Sequence, residues 1–142
     1  MNRYLELKKN FRQEIDEFPL FWAFNKMQFE EGMTELGLKP NQLDEVCRLP
    51  AGAICRKNDA PRFIEMLLNH DKSMKAAIDA DETGEGFIFD MFNYELANYE
   101  YAYTRDATET LEALNLTFAD VRASSRLNHG LKKAIAAQKY DF

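Results

Sequence analysis

The chain has 142 residues, a net charge of -6, a hydrophobic fraction of 46% and an aromatic fraction of 13%. That length suits one domain, residues 1–142, able to bury roughly 68% of its unfolded surface without a disulfide or a structural metal. A charged N-terminal segment from Met1 to Glu17 without an apolar h-region, no apolar run near the roughly 18 residues of a membrane span, and only Cys47 and Cys55 as thiols lead to the expectation of a cytoplasmic protein with reduced cysteines, no disulfide framework and no membrane contact.

In chain order, residues 3–17 read as a helix with Leu5, Phe11, Ile15 and Phe18 as its apolar stripe, ended by Pro19. The apolar run Leu20 to Phe24 is too short for a helix and predicts a buried strand. Asn25 then caps a helix over Lys26 to Leu36, with Gln28 in support, and Gly37 followed by Leu38 predicts a Schellman ending. Residues 46–49 and 53–56 flank Pro50-Ala51-Gly52 and predict a hairpin in which Cys47 opposes Cys55 and Leu49 opposes Ala53. With residues 20–24 the hairpin makes a three-stranded antiparallel meander. Asp59 and Pro61 start a helix to about His70, and a second helical stretch reaches Ala80. After the acidic loop 81–86 and an aromatic helix over 87–103 come three short helices, 106–114, 118–123 and 125–139, with Thr117 and Asp120 spelling a capping box. The fold class is therefore α+β, predominantly helical, a small three-stranded antiparallel sheet packed with about six helices.

The aromatic helix holds the main conflict in the sequence. At 100° per residue Phe87, Met91, Ile88, Tyr99, Phe92, Tyr103, Leu96 and Phe89 form an almost continuous apolar arc, and Glu95 and Asn98 fall inside it. A carboxylate buried without a partner costs several kcal/mol. Glu95 is expected to pair with a sheet cation such as Arg48 or Arg56, and Asn98 to bond to loop backbone; an acid/base role for the two is the competing reading.

The other candidates are weaker in pattern. His70 lies on the Met66 and Phe63 side of its helix, while His129 sits on a basic face beside Lys132, Lys133 and Tyr140. Two histidines on unlike faces, with no HxxE, HExxH or CxxC spacing, predict no metal site, and no GxSxG elbow or phosphate-cradling glycine loop points to a cofactor. Charge is uneven: residues 1–117 hold 13 basic and 22 acidic groups, residues 118–142 hold 5 and 2. Asp79, Asp81, Glu82 and Glu85 therefore become candidates for binding a basic protein partner. Arg126, Lys132, Lys133 and Lys139, on the outward face of the last helix of a helix-turn-helix-like segment, become candidates for weak, salt-sensitive nucleic-acid contact.

Three further stretches are Phe24-Asn25 with Gln28-Phe29-Glu30-Glu31-Gly32, Ala51-Gly52 with Arg56-Lys57, and Tyr94-Glu95-Leu96-Ala97-Asn98-Tyr99-Glu100-Tyr101 followed by Leu111, Leu114, Leu116 and Thr117. Through them, residues 21–121 resemble a family of small uncharacterised proteins carried by phages and mobile elements of gut bacteria, in which a histidine often stands where this chain has Tyr99. The resemblance brings no activity and no catalytic residue. It implies a non-enzymatic role in binding a host protein, such as inhibition of a host defence system. A small nucleic-acid-binding regulator is the alternative, an enzyme centred on Glu95 the third reading, and self-association stays open.

Overall fold

Asn25 and the residues around it show how local sequence builds the first region. In the computed structural model, which describes residues 2–139, the Asn25 side chain accepts the Gln28 N–H at 2.8 Å and the Gln28 side chain accepts the Phe24 N–H at 2.7 Å. This reciprocal capping starts helix α2, Lys26–Glu35, which follows helix α1, Arg3–Glu17, and strand β1, Leu20–Phe21. Its end is the predicted Schellman motif: Gly37 has φ +75°, the Leu38 N–H reaches the Met33 carbonyl at 2.9 Å and the Gly37 N–H reaches that of Thr34 at 2.9 Å. The hairpin also follows prediction, with β2, Val46–Arg48, antiparallel to β3, Ile54–Arg56, and Cys47 facing Cys55. Leu49 and Ala53 lie opposite each other at its mouth, joined by a 2.6 Å bond.

The chain divides into two compact units, and residues 10–71 form one of them. Here the sheet order is β1-β3-β2, so the three strands are antiparallel but not a meander. α2 intervenes in the chain between β1 and the hairpin. One cluster of Leu49, Ala53, Cys55 and Phe63 and another of Phe21, Met33 and Ile54 make its core. Gly32 is required where α2 meets β1, because a Cβ there would run into the Phe21 ring. The predicted strand over residues 20–24 is corrected: pairing stops at Phe21, and Trp22 and Phe24 are exposed.

The other unit comprises the described residues up to Lys9 and those from Lys72 onward. It holds the last part of helix α3, Ala60–Ala80, which is one unbroken helix rather than two. It also holds α4, Phe87–Asn98, α5, Tyr101–Thr104, α6, Thr108–Ala113, α7, Phe118–Ala123, and α8, Ser125–Ala137. Eight helices among the described residues leave the chain 70% helical. The predicted aromatic helix is broken near Tyr99, because Glu100 adopts a left-handed conformation, φ +57°. Phe87, Ile88, Met91, Phe92 and Leu96 of α4 pack with Tyr4, Leu7, Leu111, Val121, Leu127, Leu131 and Ala134 as one core. The apolar face of α1 thus runs through Tyr4 and Leu7, and Leu5 is exposed. α8 approaches α4 closely because Gly130 has no side chain; a Cβ there would stand 2.5 Å from Ile88 Cγ2 and 2.6 Å from the Gly84 carbonyl oxygen.

Candidate functional site

Glu95 is buried as predicted, 2% exposed, but its partner is neither Arg48 nor Arg56. The ammonium of Lys8, on α1, donates to Glu95 Oε1 at 3.0 Å, and the Tyr4 hydroxyl one turn earlier also hydrogen-bonds the carboxylate. Spacing of four on a helix puts Tyr4 and Lys8 on one face, toward α4. Lys8 Nζ lies 5.7 Å from the Tyr4 ring centroid and 5.2 Å from that of Tyr94, so two aromatic faces add to the cation's stabilisation. Burial first, and the adjacent Glu95 carboxylate second, push the Tyr4 phenol well above its ordinary value. Buried Thr110 donates to the Glu95 main-chain carbonyl at 3.3 Å. This is a satisfied ion pair built into a core. Arg56 instead donates to the Leu36 carbonyl, and Arg48 is exposed.

Asn98 is not part of that centre. It is the last residue of α4 and is exposed, although the helical period places it between Phe87 and Met91. His70 is half-buried and stacks on the Phe11 ring, centroids 4.1 Å apart and planes 17° apart. Among the described residues no group of three His, Cys, Asp or Glu side chains is placed to hold a metal ion. No helix among them is long and apolar enough to cross a membrane. Cys47 and Cys55 are reduced neighbours across the hairpin; burial first, then Cys47, push the Cys55 thiol up to about 11.

The acidic loop and the basic helix, read in the sequence as two separate docking surfaces, each have half of their candidate residues engaged with one another or with helix ends. Asp81 Oδ1 accepts the N–H groups of Thr83 at 3.3 Å and Gly84 at 3.0 Å, and Oδ2 accepts those of Gly86 at 3.1 Å and Ile88 at 2.9 Å. It thereby caps the start of α4 from outside the helix. Partial burial opposes the Asp81 charge, but the four backbone donors outweigh it and hold the carboxyl below its ordinary value. Arg126 Nη1 donates to the carbonyls of Ile78 and Asp79, each at 3.1 Å, and of Asp81 at 2.6 Å, closing the end of α3. Glu85 pairs with Lys133 and stands 3.7 Å from His129 Nε2. The Lys133 ammonium first, and His129 after it, hold the Glu85 carboxyl low. Asp79, Glu82, Lys132 and Lys139 are exposed, and Tyr140 lies outside the described residues.

The surface that sequence reasoning passed over lies on α2. Trp22 is 48% exposed, Phe24 89% and Met27 69%. Beside Met27, a shallow groove of about 480 Å³ is lined by Met27, Glu30, Glu31, Thr34, Glu35 and Pro40. The local sequence pointed the other way: a helix with Asn25 as N-cap usually folds the residue before the cap against the fourth helical residue, here Phe24 against Phe29. Phe29 is instead 6.0 Å from Phe21, centroid to centroid, which leaves Phe24 outside.

No curated protein and no solved structure matches this chain. The model of a family of unknown function, DUF7659, matches residues 3–137, nearly the whole of both units, and the chain belongs to that family.

Proposed function

We propose that this is a small protein-binding protein that engages its partner through the α2 face rather than through the acidic loop. One observation supports this reading: Trp22, Phe24 and Met27 stand exposed together in the chain around a well-capped helix start. Large apolar side chains left in water at one place mark interaction surfaces, and aromatic residues and Met are enriched at the centres of protein interfaces. The resemblance to phage and mobile-element proteins extends the reading to a host protein as partner, met in the cytoplasm, with inhibition of a host defence system as the outcome. The nucleic-acid alternative rests on a basic face of which Arg126 and Lys133 are engaged internally, so it ranks second. An acid/base role for Glu95 ranks third, since Lys8 and Tyr4 occupy its carboxylate.

The test is capture from a lysate of the host by the immobilised protein, compared with a Phe24→Ser, Met27→Ser variant whose melting curve matches the parent. Loss of a captured band in the variant supports the reading. Capture that survives the double change moves the interface off α2, and capture of duplex DNA that persists at moderate salt favours the regulator reading.

A further inference from the structure

The α2 face has a sign as well as exposed apolar side chains at and before its N-terminal turn. Its groove is lined by three carboxylates, Glu30, Glu31 and Glu35, and by no Lys, Arg or His. None of the ion pairs among the described residues involves them. This contrasts with Glu85, whose charge is met by Lys133 within the same fold. Three like charges held along one helix face repel one another, and an incoming cation relieves that repulsion. The apolar anchors are equally unmet: Phe24 is 89% exposed because Phe29 is turned to Phe21.

We propose, resting on the protein-binding reading above, that the α2 face takes a cationic peptide segment of the partner protein. An apolar side chain of the segment packs on Phe24 and Met27, and its Lys or Arg groups meet Glu30, Glu31 and Glu35. Charge complementarity selects this occupant over the others. A nucleic acid or an anionic membrane surface meets a row of carboxylates and is repelled. A second copy of the chain docking by a two-fold axis sets the same patch against itself, carboxylates against carboxylates. A shallow groove encloses too little of a small molecule to hold it.

The probe is an amphipathic peptide of about 12 residues built from Lys and Leu at helical spacing, titrated calorimetrically into the full-length protein. Emission of Trp22, the chain's single tryptophan, is followed in parallel. The cationic peptide is expected to bind, the same peptide with Glu for Lys is not, and affinity should fall as salt rises from about 50 to about 200 mM. Phe24→Ser with Met27→Ser, and separately Glu31→Lys with Glu35→Lys, should each weaken binding about tenfold or more. Asp79→Lys with Glu82→Lys should leave it unchanged. The inference is overturned if the cationic peptide does not bind, if an uncharged apolar peptide binds as well, or if reversal at Glu31 and Glu35 has no more effect than reversal at Asp79 and Glu82. Concentration-dependent sedimentation that disappears in the Phe24→Ser, Met27→Ser variant also overturns it, in favour of a second copy. Where lysate capture depends on Phe24 and Met27 but the cationic probe fails, the protein-binding reading stands and this inference alone falls.

Discussion

The loop from Asp81 to Gly86 and the α2 face are both acidic, and the fold treats their charge in opposite ways. In the loop, Asp81 is surrounded by four backbone donors and organises the start of α4, and Glu85 is met by Lys133. On α2, Glu30, Glu31 and Glu35 line a groove with no cation among its walls, beside apolar side chains that the core does not use. Density of charge in a sequence therefore says little about which acidic stretch meets a partner. What matters is whether the fold itself supplies the counter-charge or the donors, because a group already satisfied gains little from a new contact.

The comparison is sharpest at the pair where internal satisfaction is most complete. Lys8→Met should cost about 3 kcal/mol, since it leaves the buried Glu95 carboxylate without its cation. Glu95→Gln should cost less, about 1 kcal/mol, because half-exposed Lys8 can turn to water and an amide oxygen can still accept from Tyr4. Urea denaturation reads both, and the reverse order would mean that the contact with Lys8 is not what stabilises the buried Glu95.

Next in size is the loop. Asp81→Ala should lose about 2 kcal/mol by orphaning backbone donors at the start of α4. Because the folded carboxyl is held low, its contribution is complete above the unfolded value of about 3.9 and is lost as pH falls through that value toward the folded one. Stability of the variant should therefore fall less steeply than that of the parent below about pH 4. Parallel acid limbs would show that Asp81 is not the group concerned.

On the α2 face the same assays should register almost nothing. Phe24→Ser with Met27→Ser should stay within about 0.5 kcal/mol of the parent, as for surface changes away from packing or caps. A loss well beyond that would make these residues structural and remove the contrast. Smallest of all, Glu85→Gln should leave the melting temperature unchanged, its pair with Lys133 being about half-exposed and weak; a clear drop would place that pair with Lys8 and Glu95 instead.

Local rules made several elements legible from the chain alone. The caps at Asn25 and Thr117, the Schellman ending at Gly37 and the hairpin register of Cys47 on Cys55 each depend on residues a few positions apart, and each is observed. The burial of Glu95 followed from helical period, because α4 keeps that period from Phe87 to Asn98. Where the period stopped, the expectation stopped with it: the left-handed Glu100 ended the aromatic helix short of Tyr103, Asn98 at its last turn stayed exposed, and Leu20 to Phe24 paired for only two residues.

Partnership between distant residues was a different matter. That Lys8 rather than Arg48 or Arg56 neutralises Glu95, that Arg126 closes the end of α3, and that Glu85 of the loop pairs with Lys133 of α8 are contacts across 87, 45 and 48 positions of the chain. The sequence by itself determined a predominantly helical α+β chain with one buried carboxylate, since propensity, capping and period act within a few turns. Which charges would be consumed inside and which would remain on the surface was decided only by tertiary packing, because a salt bridge or an orphaned carbonyl is settled by whatever side chain the fold brings within about 3 Å.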